Sequence, residues 1–393
     1  MNQGKNQIYS IADSEAEYKG YKRLLSSESF SVEDINKSLL KKGASKMCKE
    51  KSIYVIEDGS EIRKKHSKKL DKLMMVRSLD GKLVNGYRSE NTIAVTEDGK
   101  KITLTTVKVF SSKEEGFKSE NVFKFENIKE TSKELRKNNK KLQIIYVKDR
   151  AYDDKKIFKK IRENKSDFII RAKHLKRIIK QGEKDKKVNE VKYSGNFLKK
   201  FTKLKIKNRV YQNITLKIKH AKIRLEEQEV FLVKVQLLGR GKQNIFREPL
   251  ILITSLKIKS DKEAFKIYRG YLKRWKIESV FQFIKETLGW EGFRIRDIKG
   301  IKKIISLTYF VAAYFYELGQ GLIKEEFIDL LISVGHGKGK RTRKFLIEGL
   351  QIFINSMSAL EKIKKIPKNK LLKLYKEIGY GEEAERIFRC VQF

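Results

Sequence analysis

LQIIYVKDRAYDDKKIFKKIRENKSDFIIRAK, residues 142–173, holds the pattern on which the fold turns. LQIIYVKD is an apolar run of strand length that closes on the acid Asp149. DDKKIFKKIREN, residues 153–164, spaces its apolar residues as a helix does. DFIIRAK, residues 167–173, is a further apolar strand. Strands alternating with helices imply an α/β sheet.

Upstream, SIYVIEDG (residues 52–59) reads as a buried strand that ends at Asp58 and a glycine. NTIAVTEDGKKITLTTVKVF (residues 91–110) reads as a hairpin turning at Asp98-Gly99, a dipeptide suited to positive φ. A polar helix is expected over residues 129–140. Residues 1–51 read as helical, too short for an independent domain. Tyr18, Tyr21, Leu24 and Leu25 recur at helical spacing. Ser31 and Asp34 mark a helix start, with Val32, Ile35, Leu39 and Leu40 facing inward.

Downstream, residues 173–248 change texture. KLKIKNRV, NITLKIKHAKIRL and EVFLVKVQLL alternate apolar with basic or polar residues, the period of half-buried strands. This stretch holds 22 Lys+Arg against 7 Asp+Glu, a net of +15. An all-β insertion with a positive solvent face is expected there. PLILITS resumes the buried-strand texture, and everything after Asp261 reads as helices. The organisation is therefore 1–51, 52–172, 173–248, 249–322 and a helical 323–393.

The 393 residues carry 91 Lys+Arg against 49 Asp+Glu, a net charge of +42. An apolar fraction of 40% is enough for a core and excludes a disordered basic tail. Such charge favours a polyanionic partner. With only Cys48 and Cys390, neither a disulfide framework nor a cysteine zinc site is available, and a reducing context is expected. The longest uncharged run, residues 304–316, is shorter than the roughly 20 residues a membrane helix needs. It reads as a buried helix, and no membrane partner is expected. His66, His174, His220 and His336 lack metal-ligand spacing and read as surface residues. GHGKGKR, residues 335–341, reads as a basic loop, since no Ser or Thr follows its last lysine as in a phosphate loop.

Asp58 and Asp149 close two strands that can be neighbours. Paired carboxylates there can hold the divalent metal used in phosphodiester transfer, although Asp also favours turns for structural reasons alone. Glu57 precedes Asp58 on a strand and should point to the opposite face. IYRGYLKRWKIESVFQFIKETLGW, residues 267–290, reads as one helix. At about 100° per residue, Arg274, Glu278 and Lys285 fall within roughly 60° of Tyr271. Glu278 can complete a metal site, and Arg274 and Lys285 can grip phosphates. An ordinary amphipathic helix with solvated charges accounts for the same pattern.

Tyr271, Arg274, Glu278 and Lys285 match Y-x2-R-x3-E-x6-K without a gap. This resembles the YREK signature of the insertion-sequence-four family of bacterial DDE transposases. YLKRWKIESVFQFIK is similar to that family's wider pattern, KDRAYDD to the segment around its second acid, and IEDGSEI to the segment around its first. The resemblance spans roughly residues 20–320.

It implies an RNase H-like core interrupted by the all-β insertion, with helical N- and C-terminal regions, the former a reduced DNA-binding segment. It implies catalytic, metal-binding Asp58, Asp149 and Glu278, with Mg²⁺, or Mn²⁺ in its place. Tyr271, Arg274 and Lys285 would hold the phosphates of the transposon end. Arg150 would meet a phosphate or form a structural ion pair. The activity implied is cleavage and strand transfer of double-stranded DNA, terminal repeats and target alike, by a homodimer on paired ends. The setting implied is cytoplasmic and nucleoid-associated. The alternative is an inactive or repurposed DNA-binding descendant. Relatives capture a flipped base with a tryptophan of the insertion. Here Trp275 and Trp290 lie outside it, leaving Tyr193, Phe197, Phe201 or Tyr211 for stacking. Trp275 is expected in the core and Asp153 as a helix N-cap.

Overall fold

The computed structural model describes residues 14–206, 209–317 and 325–334, with Gly349 and Ile352. The chain divides into two units, Met1–Glu317 and Leu318–Phe393.

The first unit opens with helices α1 (Glu15–Ser26) and α2 (Val32–Met47). Ser31 starts α2 with a capping box: its hydroxyl accepts the Asp34 N–H at 3.1 Å, and the Asp34 carboxylate accepts the Ser31 N–H at 2.9 Å. Ile35, Leu39 and Leu40 are buried as expected, while Val32 is half-buried and Leu24 is exposed.

Four strands follow: β1 (Ser52–Arg63), β2 (Met74–Arg77), β3 (Leu83–Thr96) and β4 (Ile102–Phe110). The β3–β4 hairpin turns as expected, with Gly99 at φ +77°. Helix α3 spans Glu120–Leu135 and so begins nine residues before the expected 129–140. Its buried stripe of Lys124, Asn127, Ile128, Thr131 and Leu135 is mostly polar, which hides it from a hydropathy reading. Then come β5 (Gln143–Lys148), α4 (Lys155–Glu163) and β6 (Asp167–Arg171), the strand–helix–strand of residues 142–173.

β7 (Ile178–Gln181), β8 (Lys184–Lys187), β9 (Ser194–Ile206), β10 (Arg209–Leu225) and β11 (Gln228–Leu238) occupy residues 173–248. β12 (Leu250–Thr254) leads into α5 (Asp261–Leu272), α6 (Trp275–Glu286) and α7 (Ile298–Glu317). All strands join one mixed sheet of order β2-β3-β1-β5-β6-β12-β11-β10-β7-β8, with β4 on β3 and β9 on β10. β1, β5 and β6 run parallel, and the remaining pairs are antiparallel. The β-rich stretch thus extends the same sheet, because β12 pairs with β6 on one edge and β11 on the other.

Both faces of the central strands are covered. On one, Ile53, Val55, Ile144, Tyr146, Phe168 and Ile170 pack with Ile128 and Leu135 of α3 and with Ile157, Phe158 and Ile161 of α4. On the other lies α5. A Cβ added to Gly270 would stand 2.8 Å from the Tyr54 ring and 3.0 Å from Ile169, so only glycine lets α5 approach this closely. Asp58 shares the parity of Tyr54, and Glu57 that of Val55, which sends these neighbours to opposite faces. α7 buries Ile305, Tyr309, Ala312, Ala313 and Tyr316, and the Tyr309 hydroxyl donates to the Thr92 carbonyl at 2.8 Å. The run 304–316 also leaves Phe310, Val311 and Tyr314 exposed.

The second unit shows helix α8 (Glu325–Val334). The basic loop expected at 335–341 lies outside the described residues, as does most of the expected helical region 323–393. Among the described residues, no helix is long and apolar enough to cross a membrane.

Candidate active site

β1 does not stop at Asp58. Its parallel pairing with β5 ends at Ile56↔Val147, but β3 keeps it extended from Asp58↔Asn91 to Arg63↔Gly86. The sequence shows an acid and a glycine there and reads as a strand end. The long antiparallel neighbour overrides that local signal. Carrying the β1–β5 register forward by two residues sets Asp58 abreast of Asp149, just past the last residue of β5.

The segment 267–290 is two helices rather than one. Between them, Lys276 N–H bonds to the Lys273 carbonyl at 2.9 Å and Ile277 N–H to that of Arg274 at 3.2 Å. These i to i−3 bonds tighten the helix at the point where Arg274 meets the acids. The Arg274 guanidinium donates to Asp58 Oδ2 at 3.3 Å and to Glu278 Oε1 at 2.6 Å. The Tyr271 hydroxyl donates to Asp149 Oδ1 at 3.5 Å. Asp58, Asp149, Tyr271, Arg274 and Glu278, all singled out by the sequence, therefore meet just past the point where the β1–β5 pairing ends.

Lys285 is elsewhere. Its ammonium donates to the Glu61 carbonyl at 2.8 Å and pairs with Glu291 at 3.4 Å. Burial lowers its pKa, with Glu291 opposing. It ties α6 to the far end of β1 instead of joining Tyr271, Arg274 and Glu278, because it stands seven residues beyond Glu278 on the same helix, about 10 Å further along its axis. Arg150 is exposed in the short 3₁₀ turn Arg150–Tyr152 that follows Asp149.

Asp153 is not an N-cap. It is buried and accepts from the Lys173 N–H at 2.7 Å, the His174 N–H at 3.0 Å and Arg177 at 2.6 Å, while Asp154 caps α4. Trp275 is not in the core. As the first residue of α6 it is 46% exposed, with the Arg274 guanidinium 5.2 Å from its ring centre. His220 is partnered, 3.2 Å from Asp261 in the first turn of α5. Phe197 stacks on Phe265 of α5 at 4.5 Å, whereas Tyr193, Phe201 and Tyr211 are half-buried.

The electrostatics follow from crowding. Burial, with Asp149 and Glu278 nearby, pushes the Asp58 carboxyl up to about 6, with Arg274 holding it back. Burial and Asp149 push the Tyr271 phenol up to about 12. Burial works against the Arg274 charge, but Tyr271, Glu278 and Asp58 around it raise its pKa.

As a donor set, three carboxylates suit a hard divalent cation such as Mg²⁺ or Mn²⁺, and a cation beside Asp58 would offset the burial and the neighbouring acids that raise its pKa. In the arrangement described, Arg274 supplies the compensation. Among the described residues, no three His, Cys, Asp or Glu side chains converge closely enough to hold a metal together. The donor chemistry fits the cation, and the Glu278 side chain is 40% exposed and held by Arg274.

The pairs missed by sequence reasoning lie behind the acids. Glu57 and Lys148, both 0% exposed, pair at 2.6 Å on the opposite face of the sheet. The available signal was a charged residue directly before the acid in each apolar run, Glu57 before Asp58 and Lys148 before Asp149.

Fold and site together describe an α/β protein with carboxylates gathered just past the point where two parallel strands stop pairing. Residues 117–315, half of the chain, match the family described as Transposase DDE domain, and the chain belongs to that family. The match includes Asp149 and Glu278 and begins after Asp58. No curated protein matches the sequence.

Proposed function

We propose that this chain is a transposase of the insertion-sequence-four type, with an RNase H-like core, that cuts DNA at the ends of its element and joins the freed end to target DNA. The observation that carries this reading is the set Asp58, Asp149, Arg274 and Glu278, gathered from two strands and a helix that lie up to 220 residues apart in sequence. The YREK spacing and the family membership support it.

Asp58, Asp149 and Glu278 are the residues that would hold Mg²⁺. When bound, the cation supplies activation of the attacking oxygen and stabilisation of the leaving oxygen. The protein supplies position and charge. Arg274 presents a planar fork that keeps Glu278 near Asp58, and it can trade a carboxylate for a phosphate oxygen when DNA arrives. Tyr271 keeps its proton at neutral pH and so acts as a hydrogen-bond donor at the Asp149 side. Arg150, exposed beside Asp149, meets the backbone of the strand to be cut. Lys285 as placed anchors α6; its contact with DNA would require it to leave Glu61 and Glu291. The chain acts as a homodimer on paired ends.

Joining separates this reading from that of a nuclease. A labelled pre-cut element end incubated with plasmid target and Mg²⁺ should become covalently attached to the plasmid. Cutting without any joined product would make the chain a nuclease. DNA binding with neither would make it a binding protein.

A further inference from the structure

Directly behind the carboxylate cluster, the sheet buries charges that no phosphate or solvent can reach. Glu57 and Lys148 are 0% exposed, and among the described residues their 2.6 Å contact is the one ion pair that either makes. Glu90 on β3 is 1% exposed, and its carboxylate accepts from the Tyr152 hydroxyl and lies 3.9 Å from Lys124 of α3. The Lys148 ammonium stands 4.5 Å from the centre of the Tyr152 ring. Replacing a buried pair like this with apolar residues is often neutral or stabilising, so stability alone does not explain its presence.

Its location gives another explanation. The backbone ladder between β1 and β5 ends at Ile56↔Val147. The next residue on each strand is Glu57 and Lys148, and the residue after that is Asp58 and Asp149. The ion pair therefore takes over where backbone pairing stops, one residue before each carboxylate. The second contact repeats the arrangement one step further out. Glu90 lies across from Gly59, the residue after Asp58, and Tyr152 closes the turn that follows Asp149. Asp58 and Asp149 are each bracketed by a residue tied, across the back of the sheet, to the other strand's side.

We propose that Glu57–Lys148 and Glu90–Tyr152 form a rear brace that fixes the separation of Asp58 and Asp149, and so act as positioning residues for the divalent cation. This rests on the reading of Asp58 and Asp149 as metal ligands. Supporting groups behind metal ligands typically alter affinity by about 10–100-fold.

The test is Mn²⁺ uptake by the full chain, followed by the electron paramagnetic resonance signal of free Mn²⁺, beside thermal melting and DNA binding in EDTA. The double variant Glu57→Leu/Lys148→Met removes both charges together. It should melt close to the parent and bind DNA as the parent does, yet need at least about tenfold more Mn²⁺ for half-saturation. The reversed pair Glu57→Lys/Lys148→Glu should move that value back toward the parent. A folded double variant with parental half-saturation overturns the brace. If the double variant does not fold, Tyr152→Phe decides, since it keeps the ring and loses only the hydroxyl. Its half-saturation should rise, and a parental value overturns the proposal. Asp149→Ala in the parent background separates the two layers of the argument. If it leaves parental Mn²⁺ uptake intact, the ligand reading fails and the brace fails with it.

Discussion

Asp58 is placed where its charge is costly. Folding raises its pKa from 3.8 to about 6, so between those values the folded chain holds a proton that the unfolded chain releases. Stability from this group is therefore lost as pH rises through that window. Asp58→Asn should melt at a higher temperature than the parent in EDTA at pH 8, and the gain should shrink toward pH 5. The same variant should not cut DNA. An equal melting temperature at pH 8 would mean that the carboxylate is not strained by its neighbours. Arg274 is the counterpart, one fork on two acids. Arg274→Lys leaves a point charge that cannot span both, and cleavage should fall at least about 100-fold with the fold retained. Helical spacing made Tyr271, Arg274 and Glu278 legible in the sequence. The partners of Lys285 were not, because Glu61 offers only a backbone carbonyl and Glu291 lies beyond the helix end.

At the level of elements, the site depends on how closely α5 lies on the sheet. Gly270→Ala would force a Cβ to within 2.8 Å of the Tyr54 ring and 3.0 Å of Ile169. The helix must lift, and overpacking of this kind costs about 1–3 kcal/mol. Chemical denaturation should show that loss, and cleavage should drop more than stability does, since Tyr271 and Arg274 follow directly. Parental stability would show that α5 has slack. Lys285→Met should lower the melting temperature while leaving the salt dependence of DNA binding unchanged, because its ammonium is used within the protein. A shallower salt slope with unchanged melting would return Lys285 to the phosphate contacts. The strand–helix–strand at 142–173 was legible because apolar runs and helical spacing are local. The run-on of β1 and the break at 273–274 were not. One is imposed by β3, and the other replaces helical phase with a 3₁₀ turn.

For the whole molecule, charge and sheet continuity matter most. A net charge of +42 implies that DNA affinity is dominated by phosphate contacts and counterion release. Affinity for any duplex should fall steeply and linearly in log–log form between low and moderate salt, and a flat titration would contradict that. The β-rich stretch 173–248 was legible by its alternation. Its fusion with the central sheet was not, because the β6–β12 contact joins residues more than 80 positions apart, as with Ile170↔Ile253. Asp261 at the start of α5 also meets His220 of β10, so the basic strands and the signature helix are mechanically linked.

The central claim is that Asp58, Asp149 and Glu278 form one catalytic unit. Its most direct test is cleavage of labelled DNA carrying the element's own ends, with Mg²⁺ or with EDTA, by the parent and by Glu278→Ala. The account predicts cuts at the ends that require Mg²⁺ and vanish in the variant, while DNA binding in EDTA stays the same. Cleavage by Glu278→Ala at the parental rate would contradict it.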